Sequence, residues 1–484
     1  MGWDDGETVR LIPIWHRSVL GEEYTVDSKN QYWQPMKVID VNSVLDTAPL
    51  RGLPLLVILS TTLILVLDGL DIQIISLVAP LLTKEFHIAP ASLGPVLAAA
   101  LIGMAFGGFA LGTLGDRFGR RPTLLFSVAL FAGSTLMGAT TQSIAALAMW
   151  RLLTGIGLGG AIPNAMALLA EFTGPRWRTQ AIAAAVIGVP VGGMCGALTA
   201  AYVLPHLGWR AMFVVGGLLP CVALAVIYFL LPESPRYLAT QPERRQSLVN
   251  VLNLLAGTDQ YSIADEFDLS DPVPKGGGTH IAGLLRGPLL RETCGLWLIF
   301  LTNMFTIYTF FSWSPVILSS FGLPLAVAVQ GSIVFNLAGV CGGCISAWLL
   351  ARLGSRPPTA ALAGVGIFTL WVISRLLNHA SRSGSPIDVA TLMIAIAAVG
   401  FVMIGIQTVA YRLSTHLYPT QIRASGVGWA AACGRLGGIL SSLIVGWLLA
   451  RVHGAGLFAI LSCVISFTLI GILMIRRHLT PIRL

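Results

Sequence analysis

The feature that most limits this chain is a series of long apolar runs, such as Leu53 to Leu67, Leu93 to Ala110, Leu124 to Gly138 and Ala211 to Leu231. A helix needs about 20 apolar residues to cross about 30 Å of hydrocarbon, and in lipid every backbone amide must be satisfied within the protein. The runs are too long and too continuous for barrel strands. About twelve are visible, near 53–81, 90–113, 122–141, 145–170, 180–204, 211–231, 292–318, 325–350, 358–377, 388–414, 424–450 and 454–475. They predict an all-α membrane protein of twelve transmembrane helices. The composition points the same way: 11% of residues are charged, where a soluble domain carries roughly a quarter.

The net charge of +8 does not point to nucleic acid, because the arginines fall at alternate ends of the runs. Arg117, Arg120 and Arg121 follow the second run, Arg176 and Arg178 the fourth, and Arg236, Arg244 and Arg245 the sixth. Arg352 and Arg356 follow the eighth, Arg476 and Arg477 the twelfth, while loops such as Thr140-Thr141-Gln142-Ser143 carry no charge. The positive-inside rule then predicts a multi-pass protein of the cytoplasmic (inner) membrane with both termini in the cytoplasm.

Residues 1–50 are polar and lack the basic-then-apolar pattern of a cleavable signal, so they read as a cytoplasmic leader, with Met36 a candidate natural start. The longest internal polar gap, including Pro272 to His280, separates six runs from six. This divides the chain into halves at 51–231 and 291–477, a cytoplasmic linker at 232–290 and a tail at 478–484. Leu114-Gly115-Asp116-Arg117-Phe118-Gly119-Arg120-Arg121-Pro122 parallels Leu349-Leu350-Ala351-Arg352-Leu353-Gly354-Ser355-Arg356-Pro357, and both follow the second run of their half. Arg178 with Gly192-Gly193 parallels Arg423 with Gly437-Gly438. Repeats of six spans predict two pseudo-symmetric halves with a binding site between them near the bilayer midplane.

Charges inside spans are rare and costly, so each is a candidate for function. Asp68 and Asp71 sit mid-span, three residues apart and on one helix face. Two such carboxylates cannot both ionise cheaply, so one is expected to hold a proton, which suits proton coupling. Arg151, near the start of the fourth span, is a gate or a salt-bridge partner for Asp71. Arg435 lies deep in the eleventh span among Gly434, Gly437 and Gly438, where its planar fork suits a carboxylate. Tyr308, Trp313, Asn336 and Gln407 are candidates to line a pocket for an aromatic ring. Glu171, with Asp116, Arg117 and Arg120, is a candidate latch, with Asp116 also placed to cap a helix end. Cys341 and Cys344 read as small packed residues, since no second pair or nearby histidine completes a site. No metal or cofactor is expected.

Gly112 through Arg121 resembles the loop signature of the major facilitator superfamily. Arg151-Leu152-Leu153-Thr154-Gly155-Ile156-Gly157 resembles its fourth-span signature, and Pro232-Glu233-Ser234-Pro235-Arg236 the one after the sixth. Asp68-Gly69-Leu70-Asp71 resembles the DGxD motif of the aromatic acid/proton symporters within it. So do Trp209-Arg210-Ala211-Met212-Phe213 and the stretch from Tyr418 to Trp429 leading into Gly434-Arg435-Leu436-Gly437. The similarity covers roughly residues 40–475. It implies that Asp68 and Asp71 serve proton coupling, that Asp116 and Arg120 serve gating, and that Arg435 with the central aromatics faces the substrate. Ala351 stands where Asp116 has its counterpart, so the latch is expected to be asymmetric.

The expected function is proton-coupled import of aromatic carboxylates such as hydroxybenzoates by alternating access, with the protein acting as a monomer. A symporter of another small organic acid or of a sugar is the nearest alternative. A membrane sensor for aromatic acids would be expected to carry a soluble output domain, and none is visible. No nucleophile elbow, phosphate loop or metal cluster suggests an enzyme.

Overall fold

The computed structural model describes residues 24–26, 33–35, 38–269, 284–285, 287, 289–418, 420–452 and 454–481. Met36 and the stretch 272–280 lie outside them. The chain forms two compact units, one of residues 49–234 with 274–484 and one of residues 1–48 with 235–273.

The larger unit holds the spans. They are α1 (Leu53–Glu85), α2 (Gly94–Phe118), α3 (Arg120–Gly138) and α4 (Ile144–Phe172), then α5 and α6 within Pro175–Leu230. That segment breaks at Gly208, whose φ of 74° and ψ of −179° leave 175–207 and 209–230 as separate helices. Next come α7 (Leu289–Ser320), α8 (Leu325–Leu353), α9 (Arg356–Ser383), α10 (Val389–Leu417), α11 (Thr420–Leu449) and α12 (Gly454–Met474). Ten helical segments among the described residues are long and apolar enough to cross a membrane, with Pro175–Leu230 counted as one. The 19-residue α3, whose first turn carries Arg120 and Arg121, is the shortest of the set and is not among those ten. With it and the break at Gly208, the described residues are consistent with twelve spans.

The internal repeat is visible in the packing. In the first half α1 packs on α5 and α2 on α4; in the second α7 packs on α11 and α8 on α10. Helices in lipid gain little from apolar contact with one another, so small residues that let backbones meet become the main attraction. A Cβ on Gly107 of α2 would lie 2.1 Å from the Ile156 carbonyl oxygen of α4. Its counterpart on Gly342 of α8 would lie 2.1 Å from the Phe401 carbonyl oxygen of α10. The guanidinium Nε of Arg178 donates to the Thr173 carbonyl at 3.1 Å, and that of Arg423 to the Tyr418 carbonyl at 3.3 Å. The turns after α2 and α8 both pivot on a glycine with positive φ, Gly119 at 106° and Gly354 at 76°. Cys341 and Cys344, expected as small packed residues, are instead exposed, flanking the Gly342 face that α8 gives to α10.

Between the halves, α1 meets α7, α5 meets α8 and α2 meets α11. The last pair touches at the ends farthest from the arginine-rich loops. A Cβ on Gly94 would lie 3.0 Å from the Ser442 carbonyl oxygen, and one on Gly446 3.1 Å from that of Ala91. Nearer the arginines, the Cβ positions of Gly112 and Gly428 have nothing within 4 Å.

In the smaller unit, Val38–Asp40 pairs in parallel with Glu266–Asp268, and Tyr24–Val26 pairs antiparallel with Trp33–Pro35. The Asp40 carboxylate caps a short helix, Val41–Thr47, accepting from the Asn42 amide at 3.0 Å. A second helix, Arg245–Ala256, buries Leu248, Val251, Leu252 and Leu255 along one stripe. The segment between the halves therefore contains folded elements, built on apolar residues at helical spacing.

Gly107→Val and Gly342→Val drive a side chain into a backbone carbonyl that cannot swing aside. Each is expected to cost about 1–3 kcal/mol or more and to lower the melting temperature of the purified protein. Gly112→Ala, placed in open space, should leave that temperature unchanged.

Candidate functional site

The Asp-Gly-Leu-Asp stretch sits at the middle of α1. Its glycine is required by packing, since a Cβ on Gly69 would lie 1.8 Å from the Val189 carbonyl oxygen of α5. That contact sets the rotation of α1 and aims the two carboxylates at different neighbours. Asp71 meets Arg151 of α4 in a two-pronged pair, with Nη1 donating to Oδ1 at 2.7 Å and Nη2 to Oδ2 at 2.8 Å. Asp71 is 1% exposed and Arg151 3%. Asp68 is also buried, but its Oδ1 has no hydrogen-bond partner. It lies within Coulombic reach of Asp71, Arg435 and Arg151. The two carboxylates, which share a helix face in sequence, therefore occupy distinct environments: one is committed to an arginine and the other is not.

Arg435 sits halfway along α11, as expected, but the glycines around it serve another purpose. Gly434, Gly437 and Gly438 share a face one residue round from Arg435 and bring α11 onto α7, against Phe300, the Leu301 carbonyl and the Tyr308 ring. The residue that gives the guanidinium room is Gly108 of α2, in the other half, where a Cβ would lie 3.1 Å from Nη1. Tyr308 lies within Coulombic reach of Asp68, Arg435 and Tyr411. Tyr411, not singled out in the sequence, packs edge-on against Phe300 with ring centroids 5.0 Å apart. It lies one helical turn beyond Gln407 on α10.

Gln407 and Asn336 take part in separate polar clusters. The Gln407 Oε1 accepts from the Asn303 amide at 2.9 Å, which joins α7 to α10. Asn336 donates to Gln73 Oε1 at 3.3 Å and to the Ser332 carbonyl at 2.8 Å, and the Gln73 amide donates to the Ser332 hydroxyl at 3.1 Å. Gln73 is on α1 and its partners on α8, so this cluster clasps the two halves, on the side away from the arginine-rich loops. Trp313 is fully buried beyond Tyr308, against Gly446 near the far end of α11. It is packed into the end of the bundle, more than a turn from the level of Arg435 and Asp68. Asn303, Gln73, Ser332 and Tyr411 are uncharged, and within an apolar run no period or motif marks them from a sequence alone.

At the arginine-rich end, Asp116 pairs with Arg120 at 2.5 Å and the Arg120 Nε approaches Glu171 at 3.8 Å. The Ser234 hydroxyl donates to Glu171. The carboxylate that caps the next helix is Glu233, not Asp116: its Oε1 accepts from the backbone amides of Arg120 at 3.0 Å and Arg121 at 3.1 Å. Glu233 can reach both amides because the chain after α6 returns beside the start of α3. Arg117 lies over the Phe118 ring at 5.4 Å. In the second half, the Ser355 hydroxyl instead holds the His478 ring at 2.9 Å and accepts from the Leu479 amide at 3.0 Å. Among the described residues, no group of three or more His, Cys, Asp or Glu side chains could hold a metal ion.

Removing one partner of a buried ion pair strands the other, at a cost of about 3–5 kcal/mol. Arg151→Leu is therefore expected to lower the melting temperature sharply, and adding Asp71→Asn to it should recover much of the loss. Asp68→Asn should lower it little, since that carboxyl breaks no hydrogen bond. A thermal melt of the four detergent-purified proteins checks this, and an Asp68 variant as unstable as Arg151→Leu would contradict the division between the two acids.

The sequence profile of the Major Facilitator Superfamily matches residues 61–381. A gallate transporter of Pseudomonas putida is 32% identical over 90% of this chain and 92% of its own length. The 4-hydroxybenzoate transporter PcaK of Pseudomonas aeruginosa is 32% identical over 86% of this chain and 90% of its own. Among solved structures, the crystal structure of a D-xylose-proton symporter shares the fold at a TM-score of 0.66 and 21% identity, covering 89% of this chain and 98% of that one. The chain therefore belongs to the major facilitator superfamily, whose members are transporters rather than enzymes, and groups there with the aromatic acid transporters.

Proposed function

We propose that this transporter carries aromatic carboxylates of the hydroxybenzoate kind into the cell together with protons, by alternating access across the cytoplasmic membrane. The relatives named for gallate, 4-hydroxybenzoate and benzoate support the substrate class. The observation that carries the coupling is Asp68: buried at mid-span, without a partner on Oδ1, and within Coulombic reach of Arg435 on the opposite half. An ionised carboxylate at that depth costs at least about 2.5–3.5 kcal/mol, so it is readily neutralised by a proton. A protonated Asp68 leaves the Arg435 fork to the substrate carboxylate, and an ionised Asp68 competes for it. Asp71, held by Arg151, keeps α1 in register while Asp68 loads and unloads. Tyr308 supplies an aromatic wall beside Arg435.

The arginine-rich loops belong to the cytoplasmic side by the positive-inside rule, with the leader 1–50, the linker 232–290 and the tail 478–484 on that side. The halves 51–231 and 291–477 then move against each other around the site. Closure at the far ends of α2 and α11, and the Gln73–Ser332–Asn336 clasp, fit a form open to the cytoplasm. Asn336 holds the outer side shut in this form, and Trp313 packs the same end. Asp116, Arg117, Arg120 and Glu171 tie the cytoplasmic ends of the first half and rearrange as that side closes. Every group in this scheme lies on one chain, so a monomer suffices.

Uptake of labelled 4-hydroxybenzoate is expected to rise as external pH falls and to collapse with an uncoupler. Asp68→Asn should abolish accumulation against a gradient while still exchanging labelled for unlabelled substrate, because a permanently neutral residue 68 keeps the substrate site but cannot release a proton. The steady-state inside-to-outside ratio at several external pH values is the measurement. If Asp68→Asn accumulates substrate with the wild-type pH dependence, the proton site lies elsewhere.

A further inference from the structure

Two buried amides between α7 and α10 leave one donor and one acceptor unused. Asn303 is 0% exposed and Gln407 7%. The Asn303 Nδ2 donates both to the Met403 carbonyl at 3.1 Å and to Gln407 Oε1 at 2.9 Å. These two bonds fix the orientation of both amides, because turning either one would set nitrogen against nitrogen or oxygen against oxygen. What remains is the Asn303 Oδ1 and the Gln407 Nε2, both buried and both without a partner. Each is geminal to an atom of the same 2.9 Å hydrogen bond, so the two belong to directly paired amides. The Tyr411 hydroxyl lies within weak hydrogen-bonding range of Gln407, outside the geometry that would give Nε2 a full partner. Leaving a buried amide half-used is costly, and a structural pair could have closed on itself.

A free N–H and a free C=O on paired amides suit a group that accepts one hydrogen bond and donates another, and on an aromatic acid whose ionised carboxylate is held elsewhere that group is a ring hydroxyl. The surroundings say what kind. Tyr411 lies within Coulombic reach of Arg435, one turn of α10 from Gln407. Phe300, one turn before Met304 on α7, packs against both Tyr411 and the backbone of Gly434, next to Arg435. An aromatic acid anchored by its carboxylate at Arg435 has aromatic side chains along its path and these amides beyond.

We propose that Asn303 and Gln407 read the ring hydroxyl of the substrate, with Gln407 Nε2 donating to the hydroxyl oxygen and Asn303 Oδ1 accepting its proton. They set the preference for hydroxylated over unsubstituted aromatic acids. The inference rests on the reading of the chain as an aromatic carboxylate transporter. A site built to hydrogen-bond a hydroxyl disfavours the analogue that lacks one, because its own polar groups are then stranded. The wild type should therefore take up 4-hydroxybenzoate with about ten- to a hundredfold better apparent affinity than benzoate.

The test is the ratio of those two apparent affinities, measured by competition against a labelled substrate in cells expressing the full chain. Gln407→Met, similar in size without the donor, should bring the ratio to within about threefold of one, chiefly by weakening 4-hydroxybenzoate. Should that variant fail to reach the membrane, Asn303→Ser gives the same readout from the other side of the pair. A ratio that stays at the wild-type value, or a wild type that binds both acids equally, overturns the hydroxyl reader. A wild type that transports neither acid would instead overturn the proposed function on which it rests.

Discussion

A carboxylate and a guanidinium closed on each other inside the helical bundle underlie the rest of this structure. Burying Asp71 or Arg151 alone at that depth would be costly, and together they tie α1 to α4 through two short hydrogen bonds. The backbone contact of Gly69 with α5 fixes α1 from the other side. With the helix held between α4 and α5, Asp68 cannot turn to claim the arginine, and its Oδ1 stays without a partner. An apparently equivalent pair of acids is thereby divided into one bound to an arginine and one whose Oδ1 has no partner.

The same economy of backbone contact organises both halves. Lipid offers no apolar drive to bring helices together, so α2 with α4, α8 with α10 and α7 with α11 meet where glycines allow main chains to touch. Arg435 owes its placement to this rule, because the glycines beside it are used up against α7 and its head group is left to reach toward Gly108 of the other half. Between the halves, beside the glycine contacts at the far ends of α2 and α11, the attachment is polar. Gln73 of α1 is hydrogen-bonded to Ser332 and Asn336 of α8, and side-chain hydrogen bonds in a membrane are modest in strength. Tight joints within each half and exchangeable ones between them suit bodies that move against each other.

The two repeats have kept their frame and diverged at their ends. Gly119 and Gly354 turn the chain at matching places, and Arg178 and Arg423 make the same five-residue return to a carbonyl. Yet the first half gathers Asp116, Arg120, Glu171 and Ser234 into one network, while Ala351 leaves the second without the acid and Ser355 binds the C-terminal segment instead.

The apolar runs alone determined that this chain crosses a membrane many times as helices, because hydrocarbon length and backbone satisfaction admit no other reading. The spacing of arginines, the repeated loop after the second span of each half, and the costly charges Asp68, Asp71, Arg151 and Arg435 were equally legible, since each departs from its apolar surroundings. The partners of those charges were not. A helical face confines two residues three apart to one side, but which neighbour each meets depends on how the helix is rotated, and that is decided by Gly69 against α5. The same holds for Asn303, Gln73 and Ser332, uncharged residues in apolar runs that acquire meaning only when another helix brings a matching group within 3.3 Å. Charge is written in the residue, whereas complementarity exists only between residues that tertiary packing has brought together.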